Sequence, residues 1–370
     1  MTRSPGLCCL IPVLLAASVV ACGPDYPTDP TQPTAAAAKA GKPGGGSGGA
    51  SGIPGQLLGT AAGSRANAVN ASYVVGRDAA RATAWNTGGQ AVTLPLTGSA
   101  SASSALGINA ASVIVGAVDA AAVVWQPVSA GVWSAAATLP APPGTWSSLT
   151  AHAVNDQGLI AGTGTRSDNL RFALRWSPAV ADYSVEVVDA PGAEYEFVGY
   201  SIANGTGWVA GWVRRNVGGT ASKDAFVWTS TGSFRLLGRL GGAATEARGI
   251  NGAGRVVGWS AAAPRGGDSS PVTWTCTETA CSAPAVLPMF YRNLNLAMSI
   301  DDAGDIVGTS GLDGILYSRC GPTVTLGPPA GWHQSYGWAV SGDGTAAAGY
   351  SFLDSGTMQA TRWSLPAPAC

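Results

Sequence analysis

Few side chains in this sequence are suited to nucleophilic chemistry, and their spacing matches no catalytic pattern. The two histidines are His152, in an apolar run typical of a strand, and His333, which has only Ser335 as a nearby hydroxyl. A serine nucleophile needs a histidine base and is usually presented by a Gly-x-Ser-x-Gly motif at a strand-to-helix turn. No such turn is indicated here, so these residues predict no nucleophilic triad.

Acidic residues offer a second chemistry, the cleavage of glycosidic bonds. Glu194 and Glu196 are two residues apart in a loop-like stretch, so the sequence does not fix the separation of their carboxyl groups. Asp224 is a further candidate. The absence of a catalytic signature favours a protein without catalytic activity. The alternative is a polysaccharide hydrolase or lyase that uses one of these residues in a central pocket.

Metal, cofactor and nucleic-acid binding also have little support. The cysteines form no paired Cys-x-x-Cys units, and the Asp-rich turns lack the bidentate glutamate of a calcium loop. The glycine-rich stretch 44–49 lacks the Lys and Ser/Thr ending of a phosphate-binding loop. Twenty basic and 21 acidic residues give a net charge of -1, which excludes a broad basic surface for nucleic acid. We expect no metal, no cofactor and no nucleic-acid partner.

The first 52 residues predict export and a lipid anchor. Residues 1–21 have a basic start and a short apolar run, which is the layout of a secretory signal. Val19-Val20-Ala21-Cys22 resembles the bacterial lipobox, in which the thiol of the cysteine is diacylated; ordinary secretion with cleavage after Ala21 is the alternative. Residues 22–52 then form a Pro/Ala/Gly/Ser linker. Gly23, rather than Asp, follows the cysteine, and by resemblance to the bacterial sorting rule this favours the outer membrane or the cell surface.

The rest of the chain repeats a short apolar run that ends in glycine. The glycines that mark the repeat are 40 to 50 residues apart, a period that covers the four-stranded blades of propellers. The 52 glycines and the small share of charged residues, 11%, disfavour helices. The 13 tryptophans can fill a large core. The seven marker glycines are Gly76, Gly116, Gly162, Gly211, Gly258, Gly308 and Gly349.

Each repeat unit is interpreted as four strands. The first ends in a tight turn such as 155–158, the second carries the marker glycine, and the fourth ends in Leu-Pro or Leu-Gly. The third ends in an aromatic residue that we expect to pack between blades. The pattern predicts an all-β, seven-bladed β-propeller over residues 53–370. The third-strand aromatic residues are Trp85, Trp125, Trp176, Trp228, Trp274, Tyr317 and Trp363.

The two ends of the propeller are predicted to meet. Only seven residues follow Trp363, so the last unit lacks a fourth strand, whereas 56–59 precede the first unit without a partner. Pairing these segments would close the ring and leave no free sheet edge. Cys276 and Cys281 flank a four-residue loop and are predicted to form one disulfide, and Cys320 and Cys370 a second one at the seam.

The best-formed repeat resembles a known family. Residues 235–258, including Arg248-Gly249-Ile250-Asn251, are similar to the HAF-repeat family of bacterial extracellular proteins. The family's His-Ala-Phe triplet corresponds here to Asp224-Ala225-Phe226, which lacks the histidine. The resemblance implies a surface location and a propeller-like fold, and it implies no particular reaction.

In a propeller, the loops between second and third strands lie on the same face as the connections between blades. In this sequence those long segments are rich in arginine and aromatic residues, which interfaces and carbohydrate sites use. Solvent exposure alone is the simpler explanation for charged loops. We interpret this loop-rich face as the surface through which a monomeric, membrane-anchored module binds a protein or glycan; an envelope assembly scaffold is a further alternative. The candidate residues are Trp146, Tyr195, Arg214, Arg215, Arg292, Trp332 and His333.

Overall fold

The protein folds into β strands and turns. The computed structural model describes residues 52–59, 62–180, 182–188, 196–217, 220–262, 269–291 and 294–367, without the side chains of 216, 217, 220 and 221. In chain order the strands are β1 (Ile53–Pro54), β2 (Gln56–Leu57), β3 (Arg65–Val69), β4 (Tyr73–Asp78), β5 (Arg81–Asn86), β6 (Ala91–Thr93), β7 (Ser103–Ile108), β8 (Ile114–Val118), β9 (Ala121–Trp125), β10 (Pro127–Ser129), β11 (Val132–Trp133), β12 (Ala137–Thr138), β13 (Trp146–Val154), β14 (Ile160–Arg166), β15 (Arg171–Pro178), β16 (Tyr183–Val187), β17 (Glu196–Ile202), β18 (Val209–Val217), β19 (Thr220–Trp228), β20 (Phe234–Leu236), β21 (Thr245–Ile250), β22 (Arg255–Ala261), β23 (Ser269–Thr275), β24 (Ala285–Val286), β25 (Asn295–Ile300), β26 (Ile306–Ser310), β27 (Asp313–Tyr317), β28 (Val324–Gly327), β29 (Gln334–Val340), β30 (Ala346–Phe352) and β31 (Met358–Ser364).

These strands form seven antiparallel blades arranged in a ring. Blade 1 is β3–β6, blade 2 is β7, β8, β9 and β12, blade 3 is β13–β16, blade 4 is β17–β20, blade 5 is β21–β24, blade 6 is β25–β28, and blade 7 is β29–β31 with β2. Each blade packs against the next, and β3 of blade 1 also contacts β30 of blade 7. The predicted seven-bladed β-propeller is therefore confirmed. An extra hairpin of β10 and β11 in blade 2 was not predicted.

The marker glycines are required because each second strand lies against a kink in the first strand of its blade. All seven first strands contain a β-bulge near the middle. The bulge pushes a first-strand carbonyl into the place where the marker residue would carry a Cβ atom, as Thr150 does opposite Gly162. Glycine is the residue that tolerates such a close approach of two backbones.

The third-strand tryptophans join neighbouring blades. The indole Nε1 of Trp125 donates a hydrogen bond to the carbonyl of Pro95 in the preceding blade (2.8 Å), and Trp176 bonds Pro140 in the same way (2.8 Å). Both rings are fully buried. A buried ring with a satisfied N–H fills the space between blades without leaving an unpaired donor. This explains why the Leu-Pro or Leu-Gly ending and the tryptophan repeat together.

The start of the described chain lies against its end. Gln56 pairs with Arg362 and Leu57 with Thr361, so β2 is the outermost strand of blade 7. The amide of Leu58 donates to the carbonyl of Ala360 (2.9 Å), and the Leu58 side chain is fully buried. β1 pairs in parallel with β28 of blade 6. Residues 53–57 thus supply one strand to blade 6 and one to blade 7.

A disulfide joins Cys276 and Cys281 across the turn that follows β23, as predicted. Cys320 is also disulfide-bonded, and Cys370 lies outside the described residues, so the pairing of these two stays a prediction. The proposed lipidation site, Cys22, likewise lies outside the described residues. Within the described residues, no helix is long and apolar enough to cross a membrane.

Candidate functional site

The strand pairing fixes which segments share the loop-rich face. Trp146 is the first residue of β13 and lies opposite Arg166 at the end of β14. Glu196 begins β17 and lies opposite Arg214 in β18. Because first strands start and second strands end at the same side of the ring, these residues belong to the face formed by blade connections and second-to-third loops.

Two of the arginines predicted to bind a ligand, Arg214 and Arg215, are engaged with carboxylates of the chain itself. Glu196 lies between Arg171 (3.3 Å) and Arg214 (3.2 Å), which joins blades 3 and 4. Asp224, almost fully buried, bonds both Arg215 (2.6 Å) and Arg239 (2.5 Å). Two of the acidic candidates for catalysis are thus held in ion pairs. Glu194 lies outside the described residues.

The other predicted face residues differ in exposure. Trp146 is half-buried: its Nε1 donates to the carbonyl of Pro142 (3.0 Å), and its ring meets Phe172 edge to face at 5.8 Å between centroids. Trp332 is also half-buried. The exposed His333 lies 2.7 Å from Asp354.

Two further members of the predicted face, Tyr195 and Arg292, lie outside the described residues. The structure therefore gives no position for them relative to Trp146 or Trp332. Of the seven predicted residues, the described part of the chain positions five on the loop-rich face.

An apolar segment also lies on this face. Met289, Phe290 and Tyr291 follow blade 5, and their side chains are 48%, 50% and 36% exposed. The backbone amides of Phe290 and Tyr291 donate to the buried hydroxyl of Ser310 (3.1 and 3.3 Å). The Tyr291 hydroxyl donates to Asp313 (2.9 Å). The backbone is thus held in place while three large side chains face solvent.

The centre of the ring encloses a cavity of about 780 Å³ that extends to the face of the tight turns, opposite the loop-rich face. Its wall includes the bulge residue of every blade, because the extra residue in each first strand turns its side chain toward the axis. The seven bulge residues are Asn67, Leu106, His152, Tyr200, Arg248, Met298 and Trp338.

Three of the bulge residues form a connected group. The Arg248 guanidinium lies 4.3 Å from the centre of the Tyr200 ring, and His152 meets the same ring edge to face at 5.7 Å. Burial lowers the pKa of His152 to about 4, and the positive charge of Arg248 acts in the same direction. At neutral pH the imidazole is therefore uncharged.

Trp212 and Trp259, which follow marker glycines, are buried and do not line the cavity. The Nε1 of Trp212 donates to the hydroxyl of Tyr200 (3.1 Å), and Lys223 lies 4.2 Å above the Trp212 ring. They fill space near the loop-rich end of the channel. Among the described residues, no group of three or more His, Cys, Asp or Glu side chains is placed to hold a metal ion.

The chain is similar in fold to propellers of known structure. The similar structures include virginiamycin B lyase from Staphylococcus aureus, as a catalytically inactive variant with quinupristin (12% identity, TM-score 0.52) and as a selenomethionine form (13% identity, TM-score 0.52). Each comparison covers 85% of this chain and 99% of the lyase. A gluconolactonase from Xanthomonas campestris has 12% identity and a TM-score of 0.41, over 85% of this chain and 98% of that chain.

At these identities the likeness shows the fold alone. No protein-family profile matches the sequence, and no curated protein matches it.

Proposed function

We propose that this chain is an exported, lipid-anchored β-propeller that binds a protein partner through its loop-rich face. The single observation that carries the proposal is the Met289-Phe290-Tyr291 segment, whose backbone is fixed and whose side chains are exposed. Methionine and aromatic residues are enriched in the cores of protein interfaces. A fixed backbone lowers the entropic cost of binding.

The pairing of two acidic candidates for catalysis with arginines favours a protein partner over a polysaccharide substrate. Glu196 and Asp224 are both engaged by arginines, so neither is presented as a bare carboxylate for acid–base catalysis. The exposed His333–Asp354 pair provides a polar position on the same face, which suits the rim of an interface.

The location rests on residues 1–52. The lipobox-like tetrapeptide ending in Cys22 and the linker after it support an anchor that holds the propeller away from a bacterial membrane. The resemblance of residues 235–258 to the HAF-repeat family supports the same surface location. We therefore expect the partner to be a protein of the cell envelope or of the extracellular space.

The test compares retention of envelope proteins on the immobilised chain with retention on Phe290→Ser. The matched control is Val180→Ser, because Val180 is fully exposed and lies in the third-to-fourth connection of blade 3, on the opposite face. We expect at least about tenfold weaker retention of one specific protein by Phe290→Ser, as for a central interface residue, and unchanged retention by the control. Equal retention by wild type and Phe290→Ser contradicts the proposal.

Two further variants show how far the surface extends. Trp332→Ala and Arg292→Ala change residues that the sequence placed on the same face. A glycan array with the same variants tests the other ligand class. If glycan binding depends on these residues and no protein is retained, the ligand of this face is a glycan rather than a protein.

A further inference from the structure

The tight turns between first and second strands are tied to one another by asparagine side chains. In four blades the residue that opens the turn is asparagine, and its Nδ2 donates to the backbone carbonyl of the opening residue in the next blade at 2.9–3.1 Å. Its Oδ1 accepts from a backbone amide three or four residues further on. One side chain thus caps its own turn and joins it to the next blade. The four residues are Asn70, Asn109, Asn155 and Asn251.

Blade 6 has an aspartate, Asp301, at this position. Its Oδ1 keeps the capping role, because it accepts from the amides of Gly304 (2.6 Å) and Asp305 (2.8 Å). By equivalence with the other turns, its Oδ2 takes the place of the asparagine Nδ2 and faces the carbonyl of Ser341 in blade 7. An ionised carboxylate can only accept hydrogen bonds. If Asp301 is ionised, two acceptors therefore face each other where the other blades have a donor and an acceptor.

The Oδ2 atom of Asp301 is buried and has no hydrogen-bond partner among the described residues. The residue as a whole is fully buried. This oxygen lies against the blade 7 turn, since a Cβ atom built on Gly344 would be 2.6 Å from it. A buried charged acceptor without a partner is costly. A protonated carboxyl, by contrast, carries the O–H donor that this position lacks.

The charged groups around Asp301 belong to blades 5, 6 and 7. Burial raises the pKa of Asp301, and the negative charge of Asp305 acts in the same direction, whereas Arg319 and the two backbone hydrogen bonds act against it. Asp305 is itself paired with Arg319 (3.5 Å). The other charged side chains of the adjoining turns, each engaged with a group other than Asp301, are Arg255, Asp302 and Asp343.

From this arrangement we propose that Asp301 is a proton-dependent latch between blades 6 and 7. When protonated, its carboxyl O–H donates to the carbonyl of Ser341 and continues the series of hydrogen bonds from turn to turn. When ionised, its Oδ2 repels that carbonyl, so the contact between the two blades weakens as the pH rises. The same two blades receive β1 and β2. The latch lies on the face of the tight turns and does not depend on the proposed protein-binding face.

Asp301→Asn tests the latch by a gain of stability, because the amide supplies the donor at every pH. A folded-state pKa above 3.8 means that the proton stabilises the folded wild type fully below pH 3.8 and that this contribution is lost as the pH rises through the folded-state value. We expect both chains to unfold at the same urea concentration near pH 4. At pH 8 the unfolding equilibrium constant of Asp301→Asn should be at least about threefold smaller, as for one gained hydrogen bond.

Two further variants control for the loss of a charge and for the position. Asp302→Asn removes a carboxylate from the exposed neighbouring position, and it should not raise the urea midpoint at pH 8. Asn109→Asp places a carboxyl at the equivalent position of blade 2, where the asparagine donates to the carbonyl of Asn155 (3.0 Å). This variant should lose stability increasingly as the pH rises.

A metal ion between the two oxygens is the alternative to a proton. Unfolding in the presence of calcium chloride or of EDTA separates the two, and we expect the same wild-type midpoint in both solutions. If calcium raises the midpoint of the wild type and not that of Asp301→Asn, a cation holds the joint and the proposal is wrong. It is also wrong if Asp301→Asn is no more stable than the wild type at pH 8, or if its advantage is the same at pH 4 and pH 8.

Discussion

The carbonyl oxygen of Glu246 occupies the space that a side chain on Gly258 would need. A Cβ atom built on Gly258 would lie closer than 3.0 Å to this oxygen, a distance that real Cβ atoms essentially never show. The same relation recurs between the first and second strands of all seven blades. The bulges and the marker glycines are therefore two parts of one local structure.

Gly258→Ala should destabilise the propeller strongly. The added methyl group meets backbone rather than a flexible side chain, so we expect a loss of about 3 kcal/mol in the free energy of unfolding. The measurement is urea unfolding followed by tryptophan fluorescence. Gly321→Ala is the control, because a Cβ there lies 3.7 Å from its nearest neighbour, and it should cost less than about 0.5 kcal/mol. Similar losses in the two variants would refute this role of the bulge.

The hydrogen bond between blades can be separated from the bulk of the tryptophan ring. Trp125 donates to Pro95, whereas the Nε1 of Trp85, equally buried, has no hydrogen-bond partner among the described residues. Trp125→Phe should therefore cost about 1–2 kcal/mol more than Trp85→Phe, since it removes a hydrogen bond between blades, whereas Trp85→Phe removes a buried donor that has no partner. Equal costs would mean that the indole N–H contributes nothing to joining the blades.

His152 should make stability depend on pH. Its pKa is lowered by burial to about 4 in the folded chain, against 6.5 for the free side chain. The folded state thus binds fewer protons than the unfolded state within this window. The contribution of neutral His152 to the free energy of unfolding is complete above pH 6.5 and is lost as the pH falls toward 4. The loss is at most about 3 kcal/mol.

His152→Gln should flatten the fall in unfolding free energy between pH 6.5 and about 4, because the titrating group is gone. If the unfolding free energy of His152→Gln falls with pH as steeply as that of the wild type, another group causes the difference in proton binding between the folded and unfolded states.

Features that recur with one residue type were visible in the sequence. Glycine at the position of Gly162 and tryptophan at the position of Trp176 recur in nearly every repeat, because packing imposes the same shape each time. This recurrence predicted the propeller. The bulge position was missed because its residues, such as His152 and Met298, share no chemistry along the chain. Only a common place in the ring relates them.

Pairings between blades also escaped prediction. Glu196 meets Arg171 and Arg214 because two blades come together, and no local spacing indicates this. The sequence therefore predicted the position of Arg214 on the loop-rich face and missed that a carboxylate engages it. Met289 and Phe290 could have been found as large apolar residues that directly follow a Leu-Pro strand end.

We infer that β2 holds the ring closed by completing blade 7. Leu58 takes the place that Leu237 has in blade 4: each side chain is buried, and each amide donates to an alanine carbonyl of the third strand at 2.9 Å. The most direct measurement is the free energy of unfolding of Leu58→Ala, Leu237→Ala and Leu236→Ala, the last at a position that is 39% exposed. If the ring is closed in this way, Leu58→Ala costs as much as Leu237→Ala, about 2–5 kcal/mol. If Leu58→Ala instead costs as little as Leu236→Ala, the N-terminal segment does not hold the two ends together.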